Sequence, residues 1–259
     1  MGYDCASRLS LNISIDDLKS NFQAATWRTT AVELLNRRYA DGKYIVDQLN
    51  DPNFFDFWFG QGTDSFEKVV AGLPAAVHES VHKAGFEEST ASEYTWIIAD
   101  NTRWTVTPRP SLFKRSEILG VLPNDEQATS YANTYLTGSS GAQDIENLLD
   151  ELNAYTVSLY VARALLDQKP PNEQSSIRDG MLTLMLYTEA YLKVAAEQYP
   201  SDYQVITGNA QLVDVIQKLW SRAVCLDELT ESFPQLGIRD AEIRAYVYDP
   251  LWLQHIENL

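Results

Sequence analysis

Helical periodicity over most of the chain is the feature that most constrains its fold. Beyond residue 125, apolar residues recur at the spacing that gives a helix one buried face. The predicted helices are Asp125–Leu136, Asp144–Leu166, Ser175–Gln198, Gln211–Ser232 and Asp240–Ile256. Between the first two, the small residues of Thr137–Gly141 favour a flexible loop.

Further helical segments are expected before residue 90. Thr29–Leu49 carries apolar residues at helical spacing, and Ser65–Leu73 does so again. Pro74 either kinks this second helix or begins a new one. The following segment, Ala75–Ala84, is helical by pattern, and Gly85 is expected to end it. Five aromatic residues between positions 54 and 59 are expected to pack in the core.

One β signal interrupts the helical pattern. Tyr94–Ala99 and Thr102–Thr107 are rich in β-branched and aromatic residues. Asp100–Asn101 between them has the chemistry of a two-residue hairpin turn. The expected fold class is therefore α+β and predominantly α-helical. We expect a single domain over residues 1–259, with a sub-boundary near residue 140.

Composition and charge narrow the function classes. With 259 residues, 45% of them hydrophobic, the chain can bury a sizeable core. Lys and Arg number 20 against 36 Asp and Glu, and the net charge of −16 repels a phosphate backbone, so we expect no nucleic-acid partner. The most apolar run, Gly180–Ala196, contains Glu189 and Lys193, so no membrane span is expected.

The two cysteines and the first residues bear on the cellular compartment. Cys5 and Cys225 can form one disulfide or remain free thiols. The first residues lack the basic start and the apolar stretch of a secretory signal. Either the protein stays inside the cell or a leader has been removed, and the second case favours an exported, periplasmic or extracellular protein.

The segment with the most specific chemistry is the HExxH motif formed by His78, Glu79 and His82. The chain has only three histidines, and two of them have this spacing. Side chains four positions apart on a helix leave the same face one turn apart. Two imidazoles in that position can hold one Zn²⁺. Glu79 can then take a proton from a zinc-bound water, whose pKa the metal lowers.

This motif resembles the active-site helix of the zincin superfamily of metallopeptidases, whose members share a neighbouring β element and a helical second half. The resemblance is carried by the five residues from His78 to His82 together with Gly85. It implies a zincin-like domain and a zinc-dependent hydrolase, foremost a metallopeptidase that acts on peptides or proteins. The alternative is a helical scaffold or interaction module that binds metal without turnover.

A catalytic zinc needs a third protein ligand, and carboxylates are the main source left in this composition. This points to the glutamate-ligand branch of the zincins, the gluzincins, which place the ligand on a helix downstream of the motif. Glu151 fits that position. Glu88 is a rival, because it stands where the metzincin motif HExxHxxGxxH has its last histidine. Glu146 or an aspartate is the remaining alternative.

Two further features have functional interpretations. Tyr155 shares a helix face with Glu151, so it can donate a hydrogen bond to that ligand or to an oxyanion, or simply pack. In zincins, a strand beside the active-site helix commonly receives an extended peptide by strand addition. Either strand of the predicted hairpin could do so here.

Overall fold

The computed structural model describes residues 4–60, 62–99, 102–107 and 112–259. Most of these residues are helical, and one small antiparallel sheet accompanies the helices, so the predicted fold class is confirmed. The helices are α1 (Asp16–Ser20), α2 (Trp27–Arg38), α3 (Ala40–Asp47), α4 (Asn53–Phe57), α5 (Phe66–Glu88), α6 (Ser130–Tyr135), α7 (Gly138–Gly141), α8 (Ile145–Ala164), α9 (Ile177–Gln198), α10 (Pro200–Gly208), α11 (Ala210–Thr230), α12 (Asp240–Val247) and α13 (Pro250–Glu257). Short 3-10 turns occur at Ala6–Arg8, Ala24–Thr26, Arg115–Val121, Leu166–Gln168 and Pro234–Leu236.

The two strands are β1 (Tyr94–Ala99) and β2 (Thr102–Val106), which pair in antiparallel register with Trp96 opposite Trp104. The predicted strands are therefore confirmed to within one residue. The predicted turn at Asp100–Asn101 lies outside the described residues.

The motif helix α5 is longer and less interrupted than predicted. It runs from Phe66 to Glu88 as one helix, with Pro74 in its interior and Ser65 as its cap. The prediction that Gly85 ends the helix is wrong. A Cβ atom at this position would lie 3.0 Å from the backbone oxygen of Thr95, so a larger residue there would push β1 away from α5.

Several other helix bounds differ from the prediction, because the backbone leaves the helical conformation inside a predicted helix. The predicted helix Thr29–Leu49 is divided into α2 and α3 at Tyr39, whose ψ of 79° is not helical. The buried Tyr39 ring stacks on Tyr160 of α8, at 5.0 Å between ring centroids. The predicted helix Asp240–Ile256 is divided into α12 and α13, because Pro250 cannot continue a helix but can begin one.

The segment before α8 also differs from its prediction. Instead of Asp125–Leu136, only Ser130–Tyr135 is helical, beginning at the Thr129 cap. The predicted loop Thr137–Gly141 contains the one-turn helix α7. Helix α10, which begins at Pro200, was not predicted.

Helices α8 and α9 lie in the middle of the structure and are buried over most of their length. Helix α5 packs on α8 and also contacts α2, α3, α4 and β1. Helices α10, α11, α12 and α13 contact α9. The buried apolar side chains form one continuous cluster, from Cys5 near the beginning of the chain to Ile256 near its end.

A disulfide joins Cys5 to Cys225 of α11, so the pairing that the sequence left open is formed. The two Cα atoms are 6.0 Å apart, and 220 positions separate the cysteines in the chain. A bond that closes so long a loop removes much of the conformational freedom of the unfolded chain.

The outer edge of β1 is occupied by groups of the protein itself. The backbone N–H of Thr95 donates to the Ser89 hydroxyl at 3.0 Å, and the Asn153 side chain donates to the backbone oxygen of Ile97 at 3.0 Å. Arg222 in turn donates to Asn153 at 2.8 Å. These positions of β1 therefore cannot pair with an added strand, which removes β1 as the peptide-receiving strand.

No helix among the described residues is both long enough and apolar enough to cross a bilayer.

The buried side chain of Glu189 leads us to expect an unusual pH dependence of the free energy of unfolding. This side chain of α9 is fully buried, and neither of its carboxylate oxygens has a hydrogen-bond partner among the described residues. Burial, helped by the charge of Asp249, raises the pKa of Glu189 to about 10. The folded state therefore keeps the group protonated, and stability that is present below pH ~4.5 is lost as the pH rises toward the folded pKa.

We expect Glu189→Gln to raise the free energy of unfolding by about 1–3 kcal/mol at pH 7.5 and to leave it unchanged at pH 4.5. Urea unfolding at both pH values measures the difference. The control is Glu228→Gln on the exposed side of α11, where we expect less than about 0.5 kcal/mol at either pH. An equal effect of Glu189→Gln at both pH values would contradict this account of the buried acid.

Candidate metal centre

Helix α5 presents the two motif histidines on a partly exposed face. The side chains of His78 and His82 are 12% and 23% exposed. Val77 and Val81, beside them in the chain, are buried and anchor the helix. The two Nε2 atoms lie 3.1 Å apart, as expected for rings one helical turn apart that face the same point.

Helix α8 brings a carboxylate to these rings. Oε2 of Glu151 lies 3.3 Å from Nε2 of His82 and 3.7 Å from Nε2 of His78. Among the described residues, these three side chains form a group whose ligand atoms all lie within 4.8 Å of one another. The structure therefore brings together the three residues that the sequence analysis selected.

The spacing of this group fits a tetrahedral zinc ion. Two ligand atoms that are each ~2.0–2.1 Å from a tetrahedral zinc lie about 3.3 Å apart. The three distances among the Nε2 atoms and Oε2 of Glu151 are 3.1, 3.3 and 3.7 Å. Two imidazoles and one carboxylate also match the donor set of catalytic zinc sites with an open fourth position. Both the geometry and the chemistry of the donors fit the ion.

Asp150 supports His82 from the side opposite to this group. Its Oδ2 atom lies 2.7 Å from Nδ1 of His82, while Nε2 of the same ring faces Glu151. A carboxylate in this position holds the ring orientation and leaves Nε2 free to bind a metal. The sequence analysis gave Asp150 no role of its own. The signal for one is its position next to the predicted ligand.

Charges within the group hold it in its ionised form. Burial opposes the charged form of His82, but the Asp150 and Glu151 carboxylates outweigh it and raise the pKa of His82 well above its usual range. Burial likewise opposes ionisation of Glu151, but the hydrogen bonds from His78 and His82 outweigh it and lower the pKa of that carboxyl. Arg115 is a further buried charge nearby, and burial lowers its pKa although Glu151 favours its charged form.

Glu79 lies at the edge of a cavity of about 320 Å³ that His78 also lines. The rest of the wall is mostly aromatic and small: Ala71, Pro74, Ala75, Tyr131, Tyr135, Tyr155, Ser158, Ser176 and Ile177. No described residue forms an ion pair with the half-buried Glu79 carboxylate. This carboxylate can therefore exchange a proton with a molecule bound in the cavity.

Tyr155 lies on the same face of α8 as Glu151, as predicted, but its hydroxyl group bonds elsewhere. The hydroxyl oxygens of Tyr155 and Tyr135 are 2.9 Å apart. The rings of Tyr155 and His78 meet edge to face, with their centroids 4.7 Å apart. Burial, with added repulsion from Tyr135, raises the pKa of Tyr155, so it remains a hydroxyl donor. Sequence reasoning missed Tyr135, whose position on α6 carries no local signal.

The rival third ligands lie apart from the group. Both carboxylate oxygens of Glu88 bond to the guanidinium of Arg103 on β2, including one contact of 2.7 Å. Glu88 is therefore held toward the sheet and away from the histidines. Glu146 is fully buried in the first turn of α8 and does not belong to the group with His78 and His82.

A second cavity, of about 330 Å³, opens on the other side of the candidate ligands. It is lined by His82, Asp150 and Glu151 and also by Phe54, Lys83, Phe86, Tyr94, Gln143 and Asn147. The His78 cavity and the His82 cavity thus flank the group from two sides. A larger cavity of about 690 Å³ lies between residues of α2 and α3, and none of the motif residues lines it.

In comparisons with known proteins, the chain matches no family model, no curated protein and no solved structure. The function proposed for this chain therefore depends on its own residues, above all those of α5 and α8.

A substitution at Gly180 of α9 tests how the Tyr155 ring is held in place. A Cβ atom at Gly180 would lie 2.1 Å from the Tyr155 ring, so only glycine allows the ring to lie where it meets His78. We expect Gly180→Ala to lower the free energy of unfolding by about 1–3 kcal/mol, because the ring must move. Chemical denaturation measures the loss.

The matched control is Gly208→Ala in helix α10, where a Cβ atom would have nothing within 4 Å. Alanine favours a helix over glycine by up to about 1 kcal/mol, so this variant should be neutral or more stable. Equal stabilities of the two variants would show that Tyr155 does not pack on α9 in this way.

Proposed function

We propose that this chain is a zinc-dependent hydrolase that cleaves peptide bonds, with His78, His82 and Glu151 as ligands and Glu79 as general base. The observation that carries the proposal is the near-tetrahedral spacing of three ligand atoms, 3.1 to 3.7 Å apart, on two different helices. The intact Glu79 beside them supports catalysis over simple metal binding.

The zinc ion, when bound, supplies a Lewis acid that polarises the scissile carbonyl and lowers the pKa of the attacking water. His78 and His82 would hold it from α5, and Glu151 would hold it from α8. Asp150 fixes the ring of His82 at 2.7 Å, so that the ring does not rotate away during turnover.

Glu79 performs the proton transfers. Its carboxylate takes the proton of the attacking water as the water adds to the carbonyl carbon, and the same proton can then pass to the leaving nitrogen. The unpaired carboxylate at the edge of the His78 cavity suits this role, because no ion pair with a described residue competes for it. Tyr155 and Tyr135 carry hydroxyl groups in the same cavity; one donates to the other, and the remaining O–H can donate to the substrate backbone.

Peptides suit this site better than small compact substrates do. The candidate ligands lie between the His78 cavity and the His82 cavity, so a chain whose scissile bond is at the metal can place a side chain on each side. The alternative, a helical module that binds metal without turnover, needs neither these cavities nor a carboxylate at the edge of one of them that has no ion pair with a described residue.

The first test replaces the base. We expect the wild-type protein to bind one equivalent of zinc and to cleave members of a mixed peptide library in a chelator-sensitive way. Glu79→Gln should keep the zinc but lose at least about 100-fold in kcat, because the proton acceptor is gone. Elemental analysis and mass spectrometry of the digested library are the measurements.

Each outcome of this experiment decides between the alternatives. Full activity in Glu79→Gln would exclude the role of this residue as base. Bound zinc without cleavage of any library member by the wild-type protein would favour the metal-binding module. A wild-type protein that binds no zinc would refute the proposal as a whole.

The second test concerns the third ligand. We expect Glu151→Gln to weaken zinc binding by at least about 10-fold, because a neutral amide replaces the charged donor. Competition with a chromophoric chelator measures the affinity. Glu88→Gln is the matched control, since Glu88 bonds to Arg103 and should not affect the metal. If Glu88→Gln weakened zinc binding and Glu151→Gln did not, the third ligand would be Glu88.

A further inference from the structure

Four aromatic side chains form a continuous surface beside the candidate metal centre, here called the aromatic rim: Phe54, Phe57, Trp58 and Phe86. The Trp58 ring contacts both Phe57 and Phe54, at 5.3 and 6.1 Å between centroids. Phe54 and Phe86 line the same cavity. The rim therefore extends from α4 across to the last turn of α5.

Two of the four rim residues are exposed to a degree that folding alone does not explain. Phe57 and Phe86 are each 77% exposed, whereas Phe55 and Phe59 of the same aromatic cluster are buried. The expectation that this cluster packs in the core is therefore correct for Phe55 and Phe59 and wrong for Phe57, while Phe54 and Trp58 are half-buried against the core. Contiguous exposed apolar side chains usually mark a place where another molecule binds.

The rim is continuous with the metal centre. The His82 cavity is lined by Phe54 and Phe86 as well as by His82 and Glu151. A chain that is bound at the candidate ligands and occupies this cavity therefore lies beside the two phenylalanines. Phe57 and Trp58 continue the same apolar path.

Charge decides which side chains this path accepts. Lys83 lines the cavity beside His82, and its charge is already paired with Glu87 at 3.0 Å. Its ammonium nitrogen lies over the Phe54 ring, 5.8 Å from the ring centroid. The charges of Asp150 and Glu151 are compensated by His82 or by the metal, so the net charge of −16 of the whole chain is what opposes acidic segments. Acidic segments are therefore repelled, and apolar ones are favoured.

We propose that the aromatic rim is the specificity surface of this enzyme, and that it binds large apolar side chains of an extended polypeptide substrate on the His82 side of the scissile bond. This inference rests on the proposed function, because the metal centre determines which end of the rim the substrate reaches. The substrate class is thus polypeptide segments that are rich in aromatic or branched aliphatic residues and poor in acidic ones.

Binding rather than cleavage provides the test, so that it can be read even if no peptide is hydrolysed. The probes are three fluorescein-labelled peptides of alternating Gly and Ser that carry Phe, Ser or Glu at every third position. They are titrated by fluorescence anisotropy into Glu79→Gln protein loaded with zinc, which should bind substrates without cleaving them. We expect the Phe peptide to bind at least about 10-fold more tightly than the Ser peptide, and the Glu peptide to bind most weakly.

Two further substitutions then test whether the preference for the Phe peptide depends on the aromatic rim. Adding Phe57→Ser and Phe86→Ser to the same background should remove the advantage of the Phe peptide and leave the affinity for the Ser peptide unchanged. Both positions are exposed, so the fold should persist, and a thermal melt verifies it. The matched control is Leu251→Ser, which changes another exposed apolar side chain (71% exposed) on α13 and should keep the full preference.

Three results would overturn the proposal. The first is that the Phe peptide has no advantage over the Ser peptide, and the second is that the advantage survives in the double rim variant. The third is that the rim substitutions instead release the protein from phosphatidylcholine vesicles, or convert a dimer to a monomer, without changing peptide affinity. A rim-dependent preference in a protein that binds no zinc and cleaves no peptide would refute the proposed function and leave the rim as a peptide-binding surface.

Discussion

Helices α5 and α8 pack against each other along much of their length, and the position of every group in the candidate centre follows from that contact. The buried face of α5, with Val77 and Val81, is held by the core. This leaves His78 and His82 at the border of the interface, where α8 passes with Asp150 and Glu151. The glycine at position 85 allows β1 to approach the same helix closely, so that the sheet and α8 enclose α5 from two sides.

Two carboxylates that lie partly buried beside two imidazoles need a positive charge nearby to compensate their own. The positive charge of His82 balances them, since Asp150 and Glu151 lie 2.7 and 3.3 Å from the two nitrogens of its ring. A divalent cation would take over that compensation from the proton. The same arrangement is thus electrostatically satisfied in either state, which favours a group that is preformed before metal binding.

Local patterns predicted the parts of this molecule that depend on local geometry. The spacing of His78 and His82 follows from the helical repeat alone, and the hairpin strands follow from their β-branched and aromatic residues. Elimination pointed to a carboxylate as third ligand, and the resemblance favoured Glu151 over Glu88, although 69 positions separate Glu151 from His82 in the chain. Helix bounds were less predictable, because breaks such as the one at Tyr39 are stabilised by tertiary contacts, here the stacking on Tyr160.

The remaining features depend on contacts between distant segments and carry no sequence signal of their own. Tyr135 joins Tyr155 only because α6 folds over the His78 cavity. Phe57 and Phe55 are the same residue type two positions apart, yet one is exposed and the other is core, because α4 is a short surface helix with one buried side. Hydrophobicity alone cannot distinguish them; the packing partner of the helix decides.

The disulfide has a mechanical consequence. Cys5 and Cys225 enclose α5, β1, β2 and α8 in one covalent loop. A pulling force applied between the two ends of the chain would travel through the sulfur–sulfur bond and bypass everything inside that loop. Only the residues before Cys5 and the segment after Cys225, with the end of α11 and helices α12 and α13, would carry tension. The helices that hold the histidines and the glutamate are thereby shielded from stretching for as long as the bond is intact.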